Sequence, residues 1–124
     1  MTKYSFAFLD KFKKDYKEAK KKNQKLDDEF ADFINSFEHT KGDVVTGTNG
    51  AQKIRMARAD KGKSGGYRIY YYFCFETKIY LLRLYAKSNI EELRLKEKIE
   101  IFEIIKTIKT NTDTQSPSFI TCCK

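Results

Sequence analysis

The chain has no tryptophan, one proline, one histidine and three cysteines in 124 residues, and its 17 acids are outnumbered by 25 lysines and arginines. Each shortage closes off a class of chemistry. With His39 as the sole histidine, no Ser-His-Asp set and no His-Glu-x-x-His zinc motif can be assembled, and no paired-carboxylate site suggests itself. His39 itself falls at a predicted helix end before a polar loop, a position suited to complementing the helix dipole. The cysteines show no CxxC spacing; Cys122 and Cys123 are adjacent near the C-terminus and miss the prenylation pattern, while Cys74 sits in an aromatic strand as a small buried thiol. Apolar runs stop well short of the roughly 20 residues a membrane span needs. The opening MTKYSFAFLDKFKK has too short an apolar stretch for a signal peptide and meets charge at Asp10. A cytoplasmic protein with no membrane partner is the expectation.

What the chain does have is aromatic residues and positive charge. Ten Phe and eight Tyr indicate an aromatic core, and a chain this long buries roughly two-thirds of its unfolded surface, enough to fold without disulfides or metals. The formal charge of +8 favours an anionic partner. The length suits one domain, placed at residues 1–110, with residues 111–124 (NTDTQSPSFITCCK) as a flexible tail.

Periodicity predicts the elements. Phe8, Leu9, Phe12, Tyr16 and Ala19 fall at helical spacing in a lysine-rich stretch; Leu26, Phe30, Phe33, Ile34 and Phe37 form a second stripe, and Asn23-Gln24-Lys25 connects the two as a helical hairpin. A short first strand precedes it at residues 3–6. Residues 39–51 read as a surface loop. Strands are predicted at 52–58, 67–75 and 79–87, with Tyr80, Leu82, Leu84 and Ala86 on one face of the last. A final helix, capped by Ser88 or Asn89, carries Leu93, Ile101, Ile104, Ile105 and Ile108. The fold class is α+β: an N-terminal helical hairpin, a short, mostly antiparallel sheet and a C-terminal helix. In this arrangement the helices cover one sheet face, and the other presents Arg55, Arg68, Lys87 and tyrosines, a candidate RNA surface.

The most informative segment is KIRMARADKGKSGGYR, residues 53–68, with six basic side chains, one Asp and three glycines. It runs directly into the strand-forming IYYYFCF, so its cations are anchored to a rigid sheet. Cations at fixed distances are what recognition or cleavage of a phosphodiester requires. Gly62-Lys63-Ser64 is not a P-loop, because Ala57 stands where that motif needs glycine and a strand follows where it needs a helix. The lysines of the first helix read as a solvated face. Tyr70 and Tyr72 could stack on bases, but sheet packing is their ordinary use.

The linked motifs GDVVTG, KIR, GKSGGYRIYYYF and YLLRLYAKS, in that order, resemble the HigB-like branch of the RelE/ParE toxin superfamily. The resemblance covers about residues 5–108, with the specific motifs at 42–89. It implies a RelE-like fold and the toxin of a type II toxin–antitoxin pair, an mRNA endoribonuclease that acts on the ribosome without metal or other cofactor. It further implies attack of a ribose 2′-hydroxyl on the adjacent phosphate. By the same resemblance Arg68 would contact the scissile phosphate, Lys61 and Lys63 would hold it or supply a base, and Lys87 would complete the site. Arg55 and Arg58 would grip RNA, with Tyr85 beside them as a further candidate. The founding RelE pattern has another basic residue where this chain has Ser88, and a later Tyr that is unmatched here, so the general base is left open, with Tyr85 one candidate for it. The implied partners are the ribosome, mRNA and an antitoxin, a small helix-turn-helix protein. The alternatives are a non-enzymatic ParE-like gyrase inhibitor, or an RNA-binding domain of the same fold without catalysis.

Overall fold

A computed structural model describes residues 4–58, 62–74, 77–86 and 93–114, and of residues 57–58, 62–65 and 111–114 the backbone only. The chain runs β1 (Ser5–Phe8), α1 (Asp10–Lys22), α2 (Leu26–Ser36), a 3-10 turn at His39–Lys41, β2 (Asp43–Val44), β3 (Gln52–Arg58), β4 (Gly62–Cys74), β5 (Lys78–Ala86) and α3 (Leu95–Thr114). The five strands form one sheet in the order β1-β5-β4-β3-β2. Among the described residues only the β1–β5 pair is parallel. This is the α+β fold that the periodicity predicts.

The helical hairpin forms where its stripes lie. Lys20, Lys21 and Lys22 end α1, and Asp27, Asp28 and Glu29 begin α2, so the two termini that meet at the connector carry the charge that complements their dipoles. The connector is pinned by Asn23. Its Oδ1 accepts the Lys25 N–H at 3.1 Å, and its Nδ2 donates to Glu29 Oε1 at 2.7 Å and to the Tyr67 hydroxyl on β4 at 3.0 Å. Phe12, Leu26, Phe33 and Phe37 then pack on Met56, Tyr67, Ile69, Tyr71, Ile79, Leu81 and Leu84 from the sheet.

The second sheet face is not open. Tyr70, Tyr72, Cys74 and Leu82 are buried there with Leu93, Ile101 and Ile105, so α3 covers the face expected to meet solvent. The reason is apolar content: the even-numbered residues of β4 offer two tyrosine rings and a thiol, and α3 has an isoleucine row of its own to bury. The base-stacking role for Tyr70 and Tyr72 therefore fails, both being at most 3% exposed.

Other boundaries also shift. Phe8 ends a strand rather than starting a helix, and β4 begins at Gly62, so the glycine-rich stretch is strand. Helix α3 starts at Leu95, where the Arg94 N–H donates to Glu97 Oε1 at 2.8 Å, and runs to Thr114, past the expected end at Thr110. The Ser88–Asn89 cap lies outside the described residues. In β5 a bulge falls where Tyr71 pairs with Leu81 but Tyr70 pairs with Arg83. One extra residue inverts the alternation, so Leu84 and Ala86 join the α1/α2 side while Tyr80, Leu82 and Tyr85 join the α3 side. Among the described residues no helix is long and apolar enough to cross a membrane.

The loop after α2 is held by a close approach. The Tyr71 hydroxyl, reaching through the sheet edge, donates to the His39 carbonyl at 2.8 Å, and a Cβ on Gly42 would overlap that hydroxyl. Gly42→Ala is expected to cost about 2 kcal/mol in urea unfolding. Adding Tyr71→Phe, which vacates the hydroxyl's space, should recover part of that loss.

Candidate nucleic-acid interface

Strand register builds the candidate site. Arg55 on β3 pairs with Arg68 on β4, and Arg68 pairs in turn with Tyr85 on β5, so the three stand in one row across adjacent strands. The bulge decides the third member. Below it Tyr72 pairs with Tyr80 and Tyr71 with Leu81; without the extra residue Leu84, not Tyr85, would stand opposite Arg68. The residue facing Arg68 on β5 is therefore Tyr85, whereas a three-residue turn at 76–78 would bring Lys87 near that end of the strand pair.

Two arginines directly opposite each other on paired strands repel and weaken the sheet. Arg55 is exposed, but Arg68 is only 9% exposed, and its Nη1 is buried without a hydrogen-bond partner. A buried, unsatisfied guanidinium beside a second cation is costly in the free protein and favourable once an anion enters. The Tyr85 hydroxyl is likewise buried without a partner. Its ring meets Tyr70 edge-on, centroids 5.8 Å apart, and Arg83 Cζ lies 4.7 Å from the ring centre.

Burial pushes the Tyr85 phenol up to about 12; the neighbouring Arg83 charge pulls it down, and Glu97, Asp15 and Tyr70 push it further up. At neutral pH Tyr85 is therefore an O–H donor, which works against its use as a base. Arg83 is held by Asp15 of α1. Burial works against the Arg83 charge, but the hydrogen bonds and charge of Asp15 outweigh it and raise the Arg83 pKa above its ordinary value.

A cleft of about 740 Å³ runs between α2 and β3 and reaches Lys53, Arg55 and Arg68, with Glu29, Asp32 and Glu38 on its α2 side. Of the expected site residues, the structure brings Arg55, Arg68 and Tyr85 together. Arg58 pairs with Gly62 where β3 turns into β4, and Lys63 follows on β4, but their side chains, with Lys61 and Lys87 entirely, lie outside the described residues. Among the described residues no group of three or more His, Cys, Asp or Glu is arranged to hold a metal ion.

Sequence reasoning missed Asp15 and Arg83. One signal was present: Asp15 falls beside Tyr16 and three residues after Phe12, a carboxylate inside the apolar stripe of a lysine-rich helix. Such a group needs a buried partner.

Residues 11–121 match the family described as RelE toxin of the RelE / RelB toxin-antitoxin system. The chain belongs to the RelE toxin family. The match covers most of the sequence and continues past residue 108, where the motif resemblance ends. A RelE-family toxin is one half of a toxin–antitoxin pair, so an antitoxin is its partner, and the family's toxins are generally mRNA endoribonucleases. The basic row of this RelE-family chain suits that class of substrate.

The raised Tyr85 pKa carries a pH dependence. The folded state holds the phenol protonated, so this contribution is whole below pH 10, the ordinary tyrosine value, and is lost as pH rises through about 12. Stability measured by urea unfolding should fall over that interval, and Tyr85→Phe should fall less steeply.

Proposed function

We propose that this toxin is an mRNA endoribonuclease of the HigB-like branch that cuts messages on the ribosome. The observation that carries this reading is Arg68, whose side chain is nearly dry, stands opposite Arg55 and Tyr85 in the sheet, and has an unpartnered Nη1. A preorganised, desolvated cation stabilises developing phosphorane charge more than a solvated one can.

In the proposed reaction a ribose 2′-oxygen forms a bond to the adjacent phosphorus while the bond from phosphorus to the 5′-oxygen breaks. The 2′-hydroxyl proton passes to a base and the leaving oxygen receives a proton, giving a 2′,3′-cyclic phosphate and a 5′-hydroxyl. Arg68 contacts the non-bridging oxygens. Tyr85, neutral at working pH, donates a hydrogen bond to the same group. Lys61, the residue before β4 in sequence, Lys63 on β4, and Lys87, the residue after β5 in sequence, contribute further charge and are the candidates for proton transfer. Arg55 and Arg58 grip the flanking backbone. The reaction as written uses no metal. The antitoxin is a small helix-turn-helix protein that masks this basic surface.

Arg68→Ala should abolish growth arrest on expression and slow cleavage of a translated message at least about 100-fold, the range for removing a fixed transition-state donor. Circular dichroism of the variant should remain native. Full toxicity of a folded Arg68→Ala protein overturns the proposal. DNA-damage signalling without cut messages would point instead to a gyrase poison.

A further inference from the structure

Asp15 and Arg83 form a rigid pair that serves more than the packing of α1 on the sheet. Arg83 Nε donates to Asp15 Oδ2 at 2.7 Å and Nη2 to Oδ1 at 3.1 Å, and Oδ2 also accepts the Leu84 N–H at 3.0 Å. Both side chains are about one-sixth exposed. A two-pronged contact fixes the plane of the guanidinium, and the backbone bond fixes the carboxylate in turn. The guanidinium so held lies over the Tyr85 ring, with Cζ 4.7 Å from its centre, while Tyr70 meets the same ring edge-on. Tyr85 is thus contacted by a cation whose own position is set from α1, and its buried hydroxyl has no partner in the free protein. Across the strand pair stands Arg68, whose Nη1 is unpartnered as well. Such rigidity exceeds what a structural tyrosine needs, and it suits a donor that must be in place before its acceptor arrives.

We propose that Asp15 is a positioning residue of the RNA site: through Arg83 it holds Tyr85 so that the phenol hydroxyl and the Arg68 guanidinium donate to one RNA phosphate. This rests on the reading of Arg68 given above. Asp15 touches no substrate; it acts two side chains away, from a helix that sequence motifs leave outside the site. The ring contact keeps Tyr85 from turning, and the α1 anchor keeps Arg83 from following solvent.

The test is single-turnover cleavage of a translated message on programmed ribosomes by the full-length toxin. Asp15→Asn should slow cleavage about 10-fold, as expected for a loosened reacting geometry, with the half-saturating ribosome concentration unchanged. Tyr85→Phe should lose a similar factor, and Asp15→Asn with Tyr85→Phe should be no slower than Tyr85→Phe alone, because the positioned hydroxyl is already gone. Arg83→Lys, which keeps the cation but loses the planar fork, gives the same cycle if Asp15→Asn does not fold. Additive losses, or full activity of Tyr85→Phe, overturn this inference while leaving Arg68 in its role. Unchanged cleavage by Arg68→Ala overturns both.

Discussion

Burial of β4 on both faces is the constraint from which the rest of the molecule follows. From Tyr67 to Tyr72 every residue of this strand is buried. A two-sided strand needs a layer on each side, so α1 and α2 lie on one face and α3 on the other. Tyrosines in that position must also place their hydroxyls. Tyr67 receives the Asn23 amide, which fixes the helical hairpin, and Tyr71 reaches the His39 carbonyl, which fixes the loop after α2. The aromatic content of one strand thereby organises both helical layers.

Arg68 is the exception within this strand, and its placement explains how a charged site arises in a dry sheet. It follows the glycine-rich stretch Gly65-Gly66 toward the N-terminal part of β4. Nearer the strand centre, among Tyr70 and Tyr72, a guanidinium would be wholly enclosed. The 9% exposure of Arg68 leaves its guanidinium nearly desolvated, and the residue also lines the cleft beside α2. The opposed Arg55 adds charge at a cost to the sheet, the kind of local conflict that a functional site retains.

Much of this was legible in the residues. The strand from Gln52, the last strand to within one residue at each end, the helical hairpin and the Asn23 connector all follow from spacing, because alternating and 3.6-residue patterns leave direct traces. The basic segment drew attention to Arg55 and Arg68 for the same reason. What escaped was long-range geometry. Nothing local says that α3 packs on the tyrosine face rather than beside α1 and α2, since either choice buries its isoleucines. The bulge at Leu82–Arg83 has no glycine or proline to announce it, yet it puts Tyr85 in place of Leu84 beside Arg68. Asp15 could be marked as misplaced in its stripe, but its partner 68 residues away could not be named from pattern.

The parallel pairing of β1 with β5 has a consequence for synthesis. Ser5 and Phe8 align with Lys78 and Leu81, so the first strand made must wait for some seventy further residues before it gains a neighbour. Closing so long a loop is slow, and a ribosome extends a chain by only about 5–20 residues each second. The nascent N-terminal strand therefore spends seconds without its sheet, and the polypeptide reaches its native topology only when most of it has emerged from the exit tunnel. For a protein whose family generally cuts messenger RNA, the sheet in this way closes only after β5 has left the machine that made it.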